Sequence, residues 1–487
     1  MNMSDWMMIR ISPSLEDTRV RWRITLFLSL IIPVLTACAA GGENCVTESD
    51  EGVLIYAALN PVTSELTQNI KRFNLTHEGV QIEVKDYSDE NGIQRLLTEL
   101  ALGQVPDIME MHRLGKGRSK DSAYTNTPYM DRPQGEYWMP YRQLAQKGYL
   151  EDLWPYIEKD RKLGRDGVLE APLKASEVNG GLYMFFSEVS ITTMISPERV
   201  AGDRSGWTFD EMLETFSTMP EDSTILRFNE GRKRVFDWLC VPLLDQYVDW
   251  ETGENTFDSQ GFRNMMGFLE SFPAEFETFL SQEGVTAEIV ERMLTGHQML
   301  ETVTVAGVHY FPAIDTYFGE PAAYVGYPTA DGSLGSYFNL HGNKLAMSST
   351  CRNKEAAWLF IQNVLAKLYS GDYIERKHTL NATMKIPVLF KNYQAAKRSD
   401  LSDKQLRKGL PCGPCGARVF EAGECTRDHE QRFETLVQNT TQIYWPNDDL
   451  SDIVWETIQP YFAGDRTLDD TLRLLDNRVT VYVNENR

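Results

Sequence analysis

The sequence predicts an α/β fold that begins as a parallel sheet with helices on its faces. Short, continuous apolar runs of the kind found in buried parallel strands alternate with segments whose apolar residues recur at helical spacing. Strand and helix patterns alternate in this way from position 53 to position 109, which is typical of a doubly wound sheet. The length of 487 residues provides enough chain for two or three domains.

The first elements follow one another closely. Val53–Leu59 (VLIYAAL) is predicted to be a buried strand, and Asn60 followed by Pro61 is predicted to cap the next helix. A second strand is predicted at Val80–Tyr87, where apolar and polar residues alternate and Val80, Ile82 and Val84 are expected to face inward. After another amphipathic helix, a third strand is predicted to begin at Pro106.

Later segments continue the mixed pattern. Gly181–Ile195 and Leu300–Ala306 are apolar and strand-like, and they frame a region whose pattern is mostly helical. Thr208, Asn353 and Thr467 each precede an amphipathic stretch, so each is predicted to cap a helix. No internal repeat is visible in the sequence.

The charge of the chain limits its partners. The formal net charge is −22 at pH 7. Nucleic acids and phospholipid headgroups are also negatively charged, so they are not expected to bind this surface. The composition instead suits a surface that faces water.

The N-terminal segment resembles a secretory signal peptide. An apolar run of 14 residues, Ile24–Ala37, is shorter than the ~20 residues needed to span a bilayer as a helix. Arg19, Arg21 and Arg23 precede it, and small residues follow it. We therefore predict a signal peptide at residues 1–37.

The end of this run, Leu35-Thr36-Ala37-Cys38, resembles a bacterial lipobox. Such a box implies that a diacylglycerol is attached to the Cys38 thiol and that cleavage leaves this residue at the N-terminus. Two or three acyl chains give a stable membrane anchor. Residues 38–52 would then be a lipidated tether. The alternative is an ordinary signal peptide in which the cysteine occurs by chance.

Six further cysteines allow 15 disulfide pairings, and the sequence does not choose among them; they are Cys45, Cys240, Cys351, Cys412, Cys415 and Cys425. The stretch PCGPCG at 411–416 looks like a thioredoxin redox motif, which requires a preceding strand and a following helix. Surrounding glycines favour a loop instead. A local disulfide or small cysteine cluster is the main interpretation, and a zinc site with His429 is an alternative.

The body of the chain resembles the solute-binding lipoproteins of bacterial ABC importers, the extracellular family 1 group that includes maltose-binding protein. The matching segments occur in the family's order and cover most of residues 53–485. They are 54–74 (LIYAALNPVTSELTQNIKRFN), 96–111 (LLTELALGQVPDIMEM), 181–195 (GLYMFFSEVSITTMI), 206–212 (GWTFDEM), 325–333 (VGYPTADGS), 345–365 (LAMSSTCRNKEAAWLFIQNVL) and 461–485 (YFAGDRTLDDTLRLLDNRVTVYVNE). The PCGPCG loop and the first twenty residues depart from the family pattern.

The resemblance implies a two-lobed, periplasmic-binding-protein-like fold whose hinge the chain crosses more than once. Lobe 1 would comprise 53–188 and 306–349, and lobe 2 would comprise 189–305 and 350–487. A ligand that contacts both lobes shifts the equilibrium toward the closed form. The implied function is a lipid-anchored, monomeric receptor on the extracytoplasmic face of the cell membrane. It would deliver a carbohydrate to the importer's membrane subunits, without enzymatic activity, cofactor or metal.

Candidate ligand-binding residues lie at strand ends, helix starts or the hinge strands. Aromatic faces stack on sugar rings, while carboxylates and amides bind hydroxyls. For each candidate the alternative is a helix cap, a core aromatic or a solvated acid. The candidates are Asn60, Tyr87, Asp89, Glu188, Tyr247, Trp250, Glu301 and Trp445.

Two other functions remain as alternatives to a sugar receptor. A two-lobed receptor of this size could instead bind a non-sugar solute such as a peptide. A secreted glycoside-processing enzyme would need paired carboxylates, and an acidic chain supplies many. The sequence has no G-x-S-x-G, H-E-x-x-H or Walker A motif, so it gives little support to an enzyme.

Overall fold

The computed structural model describes residues 52–113, 137–160, 163–226, 231–274, 291–367, 385–402, 408–411, 419–421, 423–445 and 447–486. The predicted signal peptide, the lipid site at Cys38 and almost all of the tether lie outside the described residues. The same holds for Cys45, Cys412 and Cys415. Cys240, Cys351 and Cys425 are described, and Cys240 and Cys351 are buried free thiols.

Strands and helices alternate through most of the described chain. The strands are β1 (Val53–Ala58), β2 (Gln81–Asp86), β3 (Ile108–Glu110), β4 (His112–Arg113), β5 (Tyr137–Trp138), β6 (Phe185–Pro197), β7 (Glu301–Val305), β8 (Ala322–Tyr324), β9 (Tyr337–Met347), β10 (Ile386–Pro387), β11 (Lys408–Pro411), β12 (Val419–Glu421) and β13 (Gln442–Ile443).

The helices vary from single turns to long amphipathic elements. They are α1 (Ser64–Thr76), α2 (Gly92–Ala101), α3 (Tyr141–Gln146), α4 (Trp154–Lys159), α5 (Glu170–Lys174), α6 (Glu198–Ala201), α7 (Phe209–Ser217), α8 (Arg232–Val235), α9 (Gln260–Glu270), α10 (Tyr310–Phe318), α11 (Lys354–Lys367), α12 (Phe390–Ser402), α13 (Arg427–Asn439), α14 (Asp448–Phe462) and α15 (Leu468–Asn486). A π turn (Phe236–Cys240) and two 3₁₀ helices (Arg165–Gly167 and Val241–Tyr247) complete them.

One mixed sheet organises the molecule, and it confirms the predicted α/β class. Its path is β10-β6-β9-β3-β1-β2, with β7 and β8 paired to β6 and β13 paired to β9. Strand β1 lies between β2 and β3 and is parallel to both. The parallel start of the sheet is therefore the one that the alternating pattern predicts.

Of the predicted helix caps, Thr208 and Asn353 are confirmed, and Asn60 is not. Thr208 begins α7 with a reciprocal capping box, and Asn353 accepts a hydrogen bond from the backbone N–H of Ala356 at 3.2 Å. The prediction that Asn60 caps the first helix is wrong. That helix begins later, where the Thr63 side chain accepts from the Leu66 N–H at 3.1 Å, because the Asn60 amide is held by another group described below.

Two apolar cores lie along the sheet. The first includes residues of β1, β3 and α11, and the second includes residues of α7, α9, α14 and α15. Strand β6 connects them, since Ile191 belongs to the first core and Met194 to the second. Strand β7 does the same, with Leu300 just before it in the second core and Val303 in the first. Two cores joined by crossing strands are the two-lobed architecture that the resemblance implies.

The packing of α11 bears on the proposed lobe boundaries. Its Trp358, Phe360 and Ile361 are buried in the first core, whereas the sequence prediction placed everything after residue 349 in the second lobe. The helix packs beside β9 and α1, which places it on the first core. The boundaries themselves stay a prediction.

Candidate functional site

A cavity of about 170 Å³ lies where the two cores approach each other. The first core contributes Arg142 from α3 and Ala175 beside α5. The second core contributes Leu244 and Asp245 from the 3₁₀ helix Val241–Tyr247. Residues 441–445, which include β13, form a further part of the wall. The cavity therefore draws its walls from both halves of the molecule, and we call it the intercore cavity.

An aromatic cluster adjoins this wall. The Trp445 indole lines the cavity and packs edge to face on Trp138, with ring centroids 4.6 Å apart. Tyr141 lies 5.5 Å from the same indole. The Trp445 Nε1–H donates to the Met139 carbonyl oxygen at 3.1 Å, which fixes the ring. We call Trp138, Tyr141 and Trp445 the aromatic corner.

Polar groups of both halves meet in the cavity. The Arg142 guanidinium and the Asp245 carboxylate are 3.0 Å apart, and their side chains are 38% and 33% exposed. Gln246 accepts a hydrogen bond from the Ala330 N–H at 3.1 Å through its carbonyl oxygen. Its amide Nε2 is buried and makes no hydrogen bond within the described residues. These groups can bind a hydroxyl-bearing molecule once they exchange partners.

Glu110 organises the end of the parallel sheet beside this region. Its carboxylate accepts from the Tyr56 hydroxyl at 2.7 Å and from the Leu59 N–H at 2.9 Å. It also accepts from both the backbone N–H and the side-chain amide of Asn60, each at 2.8 Å. Burial raises the pKa of Glu110 despite these hydrogen bonds. Asn60, a predicted ligand residue, is thus held in a structural hydrogen-bond network.

A polar row follows the strands that join the cores. Glu188 on β6 pairs with His341 on β9, and the Ser190 hydroxyl lies 2.7 Å from the His341 Nε2. Two residues further along each strand, the Asn339 amide donates to the Thr192 hydroxyl at 2.7 Å. Burial raises the pKa of Glu188 and, together with nearby lysines, lowers the pKa of His341 to about 3. Glu188 is the predicted ligand residue that lies in this row.

Two predicted candidates at the end of β2 have structural partners. Tyr87 is fully buried, and its hydroxyl donates to the Glu99 carboxylate. Asp89 is exposed, accepts from the Asn91 N–H at 2.9 Å and pairs with Arg95 at 2.7 Å. Their role in ligand binding stays a prediction.

The remaining candidates lie in or near the second core. The Tyr247 side chain is 2% exposed and its ring packs against Phe257 and Phe262. Glu301 is 1% exposed and accepts from the Gln298 amide at 3.1 Å. Trp250 is half-buried near Arg142, at the junction of the two halves. Of the eight candidates, only Trp445 lines the intercore cavity.

Several residues of this region escaped the sequence prediction. Asp245 and Gln246 lie in the region whose sequence pattern is mostly helical, and Arg142 and Trp138 lie in an aromatic-rich segment; neither pattern singles them out as ligand-binding residues. The run from Trp138 to Arg142 (WMPYR) was an available signal, because it combines aromatic and cationic side chains beside a proline. No sequence pattern indicates that Arg142 of this run lies next to Asp245, which is about a hundred residues further along the chain.

The described ranges contain neither a metal-binding cluster nor a membrane-spanning helix. No group of three or more histidine, cysteine, aspartate or glutamate side chains within these ranges could hold a metal ion. In the same part of the chain, no helix combines the length and apolar character required to cross a bilayer.

Comparison with known proteins gives a likeness of fold to solute-binding proteins. No family model and no curated protein matches the chain. A periplasmic oligogalacturonide binding protein from Yersinia enterocolitica aligns with a TM-score of 0.49 and 13% identity, covering 89% of this chain and 100% of that one. The sugar-binding protein MalE from Xanthomonas citri aligns with a TM-score of 0.48 and 14% identity, covering 89% and 98%.

A protein from Alicyclobacillus acidocaldarius, described as extracellular solute-binding protein family 1, aligns with a TM-score of 0.44 and 14% identity, covering 91% of this chain and 100% of that one. Proteins of extracellular family 1 and of the MalE type are thus among the solved structures that this chain is similar to, as the sequence resemblance predicts.

Proposed function

We propose that this protein is a lipid-anchored receptor on the extracytoplasmic face of the membrane, which captures a solute in the intercore cavity and delivers it to an ABC importer. The observation that carries the proposal is the composition of the cavity, since both apolar cores contribute to its walls. A solute bound there contacts both halves at once. It therefore favours the arrangement in which they are close together.

The chemistry of the cavity favours a carbohydrate. Sugar rings present apolar C–H faces to aromatic rings and hydroxyl groups to charged or amide side chains. Trp445, which packs against the other two rings of the aromatic corner, supplies the first, while Arg142, Asp245 and Gln246 supply the second. A peptide or another polar solute is the alternative that the test below separates.

The size of the cavity bears on how a solute enters. Its volume of about 170 Å³ is below the range of about 300–1,000 Å³ typical of small-molecule pockets. We infer that the two halves separate to admit the solute. The strands that connect the two cores would act as the hinge about which the two halves move.

Thermal denaturation of the mature protein against oligosaccharides, peptides and amines tests the proposal. A ligand that binds only the folded state raises the midpoint, by an amount that grows with ligand concentration. Trp445→Ala should reduce the shift at a given ligand concentration, whereas Tyr461→Ala, which alters a half-buried ring outside the cavity, should retain it. A shift with peptides alone would contradict the carbohydrate class, and turnover of a glycoside would favour an enzyme.

The anchor is tested separately by mass spectrometry of the native N-terminus. We expect a mature chain that begins at Cys38 and carries a diacylglycerol. Cys38→Ser should release the protein from the membrane fraction. An unmodified chain that begins elsewhere would contradict the lipid anchor but leave the receptor proposal intact.

A further inference from the structure

A polar seam joins helix α3 of the first half to the second half. The Arg142 guanidinium pairs with the Asp245 carboxylate at 3.0 Å and lies 5.8 Å from the centre of the Trp250 ring. The Gln146 amide donates to the Trp250 carbonyl oxygen at 3.0 Å. The Gln143 amide donates to the side chain of Asn486, in the last helix, at 2.9 Å. We call these contacts the α3 seam.

The two sides of the α3 seam are rooted in different cores. Leu144 and Ala145 of α3 are buried in the first core. Leu244, which flanks Asp245, is buried in the second core, and so is Val483 of the last helix. The two residues of each contact therefore belong to halves with separate apolar cores. A movement of one half relative to the other would break every contact of the α3 seam.

The α3 seam is not a fully satisfied interface. Two of its polar atoms, Gln146 Oε1 and Trp250 Nε1, are buried and have no hydrogen-bond partner within the described residues, and the same holds for Nε2 of Gln246, which follows Asp245 in the chain. Water could reach these atoms if the seam separated, and buried polar groups without partners are costly. The closed seam is thus held by the charged and hydrogen-bonded contacts against the desolvation of these atoms.

We propose that the Arg142–Asp245 pair is a clasp that holds the two halves together in the absence of solute and sets how readily the intercore cavity opens. Both charged side chains line that cavity, so an entering solute meets the clasp directly. The clasp is a property of the solute-free protein and does not depend on which solute binds.

Small-angle X-ray scattering of the solute-free protein tests the clasp. Asp245→Asn and Arg142→Gln each remove one charge, and each should shift the radius of gyration upward from the wild-type value. Glu456→Gln is the matched control, because it breaks an Arg–carboxylate pair with the same 3.0 Å separation that lies between two helices of the second core. This control should leave the radius unchanged.

A charge exchange provides a rescue. Arg142→Asp combined with Asp245→Arg restores opposite charges across the seam and should return the radius toward the wild-type value. Both side chains are about one-third exposed, and circular dichroism verifies that each variant is folded. Radii of both single variants equal to wild type would overturn the clasp.

If neither single variant folds, a salt series on the wild-type protein decides the matter. Salt screens a partly exposed ion pair, so the radius should rise between 20 and 500 mM NaCl (about 20 to 4 Å in Debye length). A constant radius would then overturn the clasp. None of these outcomes depends on the identity of the solute, so the receptor proposal can fail or succeed independently.

Discussion

Trp138 and Trp445 lie edge to face, with ring centroids 4.6 Å apart and planes inclined by 74°. The first belongs to the two-residue strand β5, and the second precedes α14 of the second core. Their contact places an aromatic wall beside the intercore cavity, at the point where the chain makes a late passage between the cores. This relationship gives the first prediction.

Removal of the Trp445 ring should weaken solute binding strongly. The indole contributes apolar contact and an edge-to-face interaction, and aromatic pairs contribute about 0.5–1.5 kcal/mol beyond their buried area. We expect Trp445→Ala to lower affinity about tenfold or more, since about 1.4 kcal/mol is a factor of ten. Titration calorimetry with the solute found by thermal shift measures this. Trp445→Phe should retain part of the affinity, and equal losses in both variants would contradict a stacking role.

Tyr247, although it was a sequence candidate, should not affect solute affinity through its hydroxyl. Its ring is 2% exposed in the second core. Tyr247→Phe should therefore leave affinity unchanged, whereas Tyr247→Ala should reduce the free energy of unfolding by about 3–5 kcal/mol, as for other large buried aromatics. Urea denaturation and calorimetry measure the two effects. A specific loss of affinity in Tyr247→Phe would contradict this assignment and restore the original candidate.

Glu110→Gln should destabilise the fold. The Glu110 carboxylate accepts hydrogen bonds from Tyr56, Leu59 and Asn60. A glutamine side chain has one oxygen and one NH2 group, so its NH2 group would face hydrogen-bond donors and some of these bonds would be lost. A buried group left without its partner costs about 1–3 kcal/mol. Urea denaturation measures the loss. Glu456→Gln at an exposed pair should cost at most about 1 kcal/mol, and equal effects at the two sites would contradict the importance of this network.

His112 should make stability fall in mild acid. Burial, with Lys344 nearby, lowers the pKa of His112 to about 3, so the folded state keeps the imidazole neutral. Below the ordinary value of about 6.5, the unfolded chain binds a proton that the folded state does not bind, so stability is lost as the pH falls from about 6.5 toward 3. The slope is at most about 1.4 kcal/mol per pH unit for this group.

The test compares the wild type with His112→Asn by urea denaturation at pH 8, 7, 6 and 5. The variant should lose about 1–2 kcal/mol less stability than the wild type between pH 7 and pH 5. The interval from pH 8 to pH 7 is the internal control, because the histidine is mostly neutral in both states there. Parallel curves down to pH 5 would contradict the prediction.

The cap of α7 should contribute measurably to stability. The Thr208 hydroxyl accepts from the Glu211 N–H at 3.2 Å, while the Glu211 carboxylate accepts from the Thr208 N–H at 2.7 Å. Thr208→Ala should cost about 1 kcal/mol, measured by urea denaturation. Thr215→Ala in the same helix is the control, since alanine has the higher helix propensity and no loss is expected. A loss at Thr215 equal to that at Thr208 would show that the cap is not responsible.

The parts of the fold that were predictable rest on local patterns. The buried run at β1 and the caps at Thr208 and Asn353 each depend on residues within a few positions of one another. A strand forms at β2 as its alternation predicts, but the predicted inward face is only partly right, because Ile82 is buried whereas Val84 is 37% exposed. Asn60 shows the limit of such rules, because a nearby threonine took the cap. The Asn60 side-chain amide instead donates a hydrogen bond to Glu110 of strand β3, and Thr63 caps the helix.

The sequence by itself determined the α/β class, the order of the main elements and the family resemblance. Helices and strands that bury one face have characteristic short-range spacings of apolar residues, which can be recognised in the sequence. Only the tertiary structure decided that Trp445 meets Trp138, that Arg142 meets Asp245 and that Tyr247 is enclosed in a core. These contacts join segments far apart in the chain. Their partners depend on strand order in the sheet and on how the two cores pack, which no local pattern specifies.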